Sequence, residues 1–453
     1  MAEARAGDVR GVLRAGLATT AALAVAGLVG VVFERLGAPG AVIAGLATML
    51  VLLLIIVAGL TGGTMRLPVY LASGRAISVT AAALAIGASA TTALGGAAAA
   101  TAAGLFLAGL LFASPLRAAG VPGLAGWLGY RFGDPMLRTL AAGAVVAVAI
   151  LAASARLGDV GAVLAAGLGL PRSVAAMLAA TACALVLLPG GLHGAVRAGL
   201  SAALVAAATL PVASSAAAMA DAVSRISLTS ELAWLGVAVA ALSPQVAVSV
   251  SACRSPADAR LALFGAGAVA GLFGFALAAS GTSGGLFPAV GGVALRLSLD
   301  MAAMIALLHA AGAALGFELR GRLDRRRHPT SKRFAALRLV TLGCIAAAAW
   351  LSLQDAARSA AMLSIATAVL VATVGPPLLI GVLVARAGRW GGLLACVGGL
   401  STVALLLEGR LAPGMDLEGA ALAGLAAGLL AGLLPTLLMR AAPRPQTVDD
   451  ASL

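Results

Sequence analysis

Six polar side chains stand inside stretches that otherwise hold almost nothing but apolar residues. They are Ser89, Thr91 and Thr92 in GASATTALGG, Ser243 and Gln245 in LSPQ, and His309 in MIALLHAAGA. Hydroxyls and an amide bind a solute or a cation by hydrogen bonds without leaving a fixed charge in apolar surroundings, where such a charge is costly. An imidazole adds a group that exchanges a proton near neutral pH. Each residue also has a plainer reading. A helical Ser or Thr bonds back to a carbonyl one turn earlier, and a buried neutral His bonds to a nearby carbonyl. Enzyme chemistry finds no residues here: no His/Asp/Glu cluster, G-x-S-x-G elbow or phosphate loop stands in a plausible frame. No organic cofactor or metal is called for, and Cys183, Cys253, Cys344 and Cys396 stand singly, as small buried hydrophobes. Asp300 and Glu318 read as interfacial charges at the two ends of the helix that carries His309.

The elements that must position these groups follow from composition. Of 453 residues, 61% are hydrophobic and 10% charged, and the mean hydropathy is +1.07. A soluble chain of this size needs far more charge to cover its surface, so this one faces lipid or its own helices. A span takes about 20 apolar residues, and one pass along the chain finds about fourteen candidates. The chain is expected to be an all-α polytopic membrane protein with 13–14 transmembrane helices. Its 58 glycines favour close backbone approach between helices in lipid. With the N-terminus cytoplasmic, 23 of the 30 basic residues fall on the cytoplasmic side, eight of them between Arg320 and Arg338. That is the positive-inside bias; it predicts cytoplasmic termini, a multi-pass protein of the cell membrane, and no nucleic-acid partner. The loop 117–138, with Trp127, Tyr130 and Phe132 among basic residues, reads as an amphipathic element at headgroup level.

Two spans are interrupted. One, starting at 77, carries Ser89, Thr91 and Thr92 at mid-depth before a Gly pair; the other, starting at 232, carries Ser243, Pro244 and Gln245 at mid-depth. The breaks are five spans apart, and an odd-numbered repeat places its two halves in opposite orientation. Matched broken helices in inverted repeats mark a transporter's binding site. The organisation predicted is two N-terminal helices (1–65), a core (66–386) with halves 77–213 and 232–385, C-terminal helices (387–441) and a disordered tail (442–453).

Six segments resemble the sodium:solute symporter family: VYLASGRAISVTAAALAIGASATTALGG, LLFASPLRAAGVPGLAGWLGYRFGDPMLRTLAA, LLPGGLHGAVRAGLSAALV, SPQVAVSVSACRSPADARLALFGAGAV, the basic stretch from Gly316, and VATVGPPLLIGVLVARAGRWGG. They stand in the family's order over residues 66–410, nearest the acetate and monocarboxylate permease branch. The resemblance implies a leucine-transporter-like 5+5 inverted repeat with additional helices, with the solute midway between its first and sixth core helices. It also implies sodium held by paired hydroxyls on the eighth core helix. Those hydroxyl positions fall near Leu308 and His309, where neither residue offers a hydroxyl. The family's Trp and Gln in the fifth core helix are Arg197 and Gly199 here, and its Arg in the sixth lies near Ser249.

The function expected is secondary active transport of a small organic solute, a monocarboxylate, by alternating access. Ser89, Thr91, Thr92, Ser243 and Gln245 would line the solute site. The usual sodium site reads as degraded, with His309 and Leu308 at the coupling-ion position and Na+ or H+ as the coupling cation. The other reading is a symporter-derived accessory or sensory membrane protein that no longer transports.

Overall fold

The structure is a computed structural model that describes residues 2–94, 98–213, 243–280, 286–319, 330–354, 356–408 and 417–438. The Gly pair at 95–96, the part of the second interrupted span before Ser243, the basic run 320–329 and the tail 442–453 lie outside the described residues. In chain order the helices are α1 (Ala2–Arg35), α2 (Gly40–Leu60), α3 (Leu67–Ala72), α4 (Val79–Ala93), α5 (Ala98–Leu111), α6 (Ala113–Ala118), α7 (Leu124–Phe132), α8 (Pro135–Leu168) and α9 (Arg172–Ala213). They continue with α10 (Pro244–Ser251), α11 (Pro256–Ala279), α12 (Leu286–Ala313), α13 (Thr330–Ser352), α14 (Ala356–Thr373), α15 (Gly375–Leu383), α16 (Arg389–Leu407) and α17 (Leu417–Leu438). Among the described residues ten helices are long and apolar enough to cross a membrane, and α4 and α5 are shorter apolar helices.

Local sequence sets the helix starts. Ser78 accepts a hydrogen bond from the Ala81 amide at the head of α4, and Asp134, ahead of Pro135, accepts one from Met136 at the head of α8. Ser255, ahead of Pro256, does the same for Asp258 in α11. Each side-chain oxygen satisfies an amide that the helix leaves unpaired, and proline at the first position surrenders a donor not needed there.

α9 is two antiparallel limbs. As one rod its 42 residues would run about 63 Å, twice the hydrocarbon thickness. The chain turns back at Gly191, whose φ of 53° and ψ of −135° belong to glycine. Contacts with α2 fix the direction of each limb. Gly167, just before α9, packs on Thr48; Gly59 meets Val186; Gly62 meets Gly194; and the Ser201 hydroxyl then reaches back to the Leu54 carbonyl. The expected separate spans over 173–189 and 195–213 are therefore present.

Three expectations about placement are corrected. Arg156, one of the seven basic residues that the charge count leaves on the outer side and beyond a span ending at 155, lies within α8, which runs on to Leu168. The 117–138 loop does form α6 and α7, but Trp127, Leu128 and Phe132 are buried in the protein, not laid at the headgroups. Arg131 ties it to the end of α15, donating to the carbonyls of Gly381 (2.7 Å), Val384 (2.9 Å) and Ala385 (3.1 Å). Tyr70, which in the VYLASGRAIS lead-in reads from the sequence as an interfacial aromatic, is 1% exposed.

The arginines at this end mostly bond to main-chain oxygens. Arg75 donates to Gly120, Arg117 to Cys253 and Arg254, and Arg254 to Ala76 (3.2 Å). They staple the lead-in to α4 against the end of α10, where Ile77 and Cys253 form the isolated bridge. α4 leaves this end and α10 arrives at it, the opposite directions that an inverted repeat requires.

A Cβ on Gly191 would stand 2.6 Å from the Tyr70 ring and take a backbone conformation closed to it. Gly191→Ala is expected to destabilise the protein by about 1–3 kcal/mol, the cost of one such strained residue, or more, seen as a lower thermal unfolding temperature in detergent. Gly143→Ala, with no atom within 4 Å of the new methyl, should match or exceed the parent.

Candidate functional site

The helices α4, α9, α10 and α12 meet around one enclosed space. Ser89, Gln245, Ser249, Ala306 and His309 line one small cavity there, closed on the α9 side by Leu192, Val196 and Gly199. Its free centre is about 10 Å³, room for about one water or a bare cation. Gly199 lets α9 press onto Ala85, where a Cβ would come within 3.1 Å.

Burial and missing partners set two of these side chains apart. Gln245 is 2% exposed and its amide atoms make no hydrogen bond, while His309 is 1% exposed and its ring has the Leu71 backbone as its polar neighbour. A buried polar group left in this state costs about 1–3 kcal/mol. The Gln245 amide in this state, with the His309 ring on the same cavity, describes a place prepared for a polar occupant. α10 aims its first turn into the same region: Pro244 is its first residue, and Ser243, at its cap, makes no side-chain capping bond. Val246 and Ala247 already donate to the Ser243 carbonyl, so what the first turn offers is the positive end of the helix dipole.

The remaining predicted residues divide. Ser89 lines the cavity although its hydroxyl also bonds the Ile86 carbonyl at 3.0 Å. Thr91 bonds back to Gly87 at 2.8 Å and turns its methyl toward Gly274 of α11, away from the site. Thr92 turns toward Asp300. Ser243 is buried at the head of α10 without reaching the cavity wall, and Leu308 is buried in apolar packing. Of the pair placed at the coupling position, His309 alone reaches the cavity. Its ring also meets Tyr70 edge-on, 6.1 Å between centroids, and Tyr70 meets Phe334 at 5.1 Å. Ser249 was not foreseen as part of the wall; one helical turn beyond Gln245, it shares that face of α10. Ser89 Oγ, Ser249 Oγ and Gln245 Oε1 are the side-chain oxygens on which a hard cation could draw.

His309 is not alone in depth. Asp300, read from sequence as an interfacial charge, is 1% exposed, with Arg156 at 3.6 Å and Arg296 at 3.8 Å. Arg156 also holds Asp159 at 2.8 Å. Glu318, the other supposed interfacial residue, is 5% exposed and faces Gly123 and Gly126 at the first turn of α7. The helix starts at Leu286, well before Asp300, which therefore lies inside it instead of at its end.

No protein-family model matches the chain, and no curated protein sequence matches it. Solved structures do. The chain is similar to a Na+-coupled sialic acid symporter described in a substrate-bound outward-open state, with a TM-score of 0.72 and 13% sequence identity, over 88% of this chain and 98% of that one. The fold is thus leucine-transporter-like, and the protein is a multi-span membrane protein.

The buried ion pair generates a test. Asp300→Asn leaves Arg156 and Arg296 short of a buried partner, and a broken buried pair costs about 3–5 kcal/mol. A marked fall in thermal unfolding temperature is expected. Replacing both partners, Arg156→Leu with Asp300→Leu, should recover most of it in a double-mutant cycle; an additive loss would show that the two charges do not act as a pair.

Proposed function

We propose that the protein is a secondary active transporter for a small monocarboxylate, working by alternating access at the cavity between α4 and α10. The observation that carries the reading is the buried, unpartnered Gln245 amide beside the buried His309 ring on one enclosed cavity in this fold. The positive end of α10 and the Gln245 amide suit a carboxylate, and Ser89 and Ser249 supply neutral hydrogen bonds beside it. In this reading the solute enters when α9 and α12 part, because the cavity as it stands holds about one water.

Coupling is assigned to a proton at His309. α12 offers Leu308 and His309 where the resembling family has sodium-binding hydroxyls, and the imidazole is the side chain on this cavity that can take up a proton. The arginine-rich end of the bundle is the cytoplasmic face, with both termini on that side of the cell membrane. The same missing hydroxyls favour the second reading, a symporter-derived accessory or sensory protein, in which the cavity never opens to a solute.

Uptake of labelled acetate, lactate and pyruvate into proteoliposomes separates these readings. Saturable uptake is expected under an imposed proton gradient and not under a sodium gradient. Gln245→Ala, reconstituted in equal amount, should lower it about tenfold or more, the loss of a hydrogen bond to a charged group. Sodium-driven uptake would sink the view that the sodium site is lost, and a His309→Ala protein with full proton-driven uptake would remove that residue from coupling. Uptake under neither gradient across the panel would favour the accessory reading.

A further inference from the structure

A second and much larger cavity, about 580 Å³, opens between α1, α2, the head of α4 and the second limb of α9. Its walls are two facing helical stripes. On α2 they are Leu54, Val57, Ala58 and Thr61; on α9, Arg197, Leu200, Ser201 and Leu204. Both sets have the i, i+3, i+4, i+7 spacing of a single helix face. Polarity is graded along both in the same direction. Thr61 and Arg197 stand together at the arginine-rich end, joined by a bond from the guanidinium to the Thr61 carbonyl. From there the stripes run to Leu54 and Leu204, about 10 Å deeper.

The polar end is cationic and built. His193 receives or donates a 2.8 Å bond with Ser73 through Nδ1, and both line the same cavity as Arg197. Among the described residues no carboxylate lies within ion-pair distance of Arg197, which spends one of its five donors on Thr61. Arg197 is also one of the places where the chain departs from the symporter pattern. A soluble anion would use the charged end and gain nothing from an apolar stripe leading into the membrane. An amphiphile with an anionic head uses both.

We propose that this groove is a binding site for an anionic phospholipid, its phosphate on Arg197 and His193 and one acyl chain along Leu200 and Leu204 against Leu54 and Val57. Basic pockets between membrane helices hold such headgroups, while the alkyl chain gains from each apolar contact. The site is separate from the enclosed cavity, with Val196 standing in the wall of both. Occupancy there would bear on the lead-in to α4 through Ser73 and Ser78.

Native mass spectrometry of the detergent-purified full chain tests this, with phosphatidylglycerol and phosphatidylcholine supplied at equal concentration. Phosphatidylglycerol is expected to be retained in preference. Arg197→Gln should lower its occupancy about fivefold, and Leu204→Asn should lower it without changing charge. Arg389→Gln, at an exposed arginine stacked on Trp390, should leave it unchanged. Equal retention of the two lipids, equal loss in Arg389→Gln, or displacement by glycerophosphoglycerol at the same concentration would overturn the proposal. If Arg197→Gln does not fold, His193→Gln is read in its place, and unaltered phosphatidylglycerol preference in that variant overturns it too.

Discussion

The close approach of two backbones, where α2 ends and α9 turns back, is the contact on which the remainder rests. Lipid gives helices no hydrophobic reason to associate, so their attraction comes from packing, and packing is densest where no side chain intervenes. A Cβ on Gly62 would fall 2.7 Å from the Cα of Gly194, and one on Gly59 would fall 2.6 Å from a Val186 methyl. The turn so formed places Gly191 under Tyr70, which fixes the segment leading into α4. Tyr70 in turn packs on His309 and Phe334. Cavity geometry is thereby tied to a glycine contact at one end of the bundle.

Electrostatics follow a second pattern. At that end the arginines mostly bond to the carbonyls that helix ends leave open, a use that needs no acidic partner and suits a chain poor in carboxylates. Along α8 and α12 the opposite holds: buried Arg156 and Asp300, with the more exposed Asp159 and Arg296 beside them, form a locally neutral group. The basic excess is therefore more than an orientation signal, since Arg75, Arg117, Arg131 and Arg254 each join segments distant in sequence.

Much of this was legible in the residues themselves. Helical spans and the buried polar residues within them could be read because a hydroxyl or amide in an apolar run is costly unless something bonds to it. Ser89 and Gln245 line the cavity. Thr91 did not, because adjacent helical residues point about 100° apart and its hydroxyl is satisfied by Gly87 on its own helix. The same geometry separates His309 from Leu308. Asp300 escaped notice because its depth depends on where α12 begins, and GTSGGLFPAVGG carries enough glycine to disguise a helix start. Arg156 was hidden in the same way by the length of α8. The groove beside α9 was beyond sequence altogether, since its stripes belong to helices whose facing no single-chain periodicity fixes.

The Arg156–Asp159 pair, one turn apart on α8 at 2.8 Å, has a consequence for how the protein is made. α8 leaves the ribosome well before α12, so Arg156 enters the bilayer when Asp300 does not yet exist. A lone arginine at depth resists insertion. Asp159 neutralises it within the same helix, letting α8 partition as an uncharged segment, and Asp300 later joins a charge that already has a companion. The pairing that looks redundant in the finished bundle is the one that the nascent chain needs first.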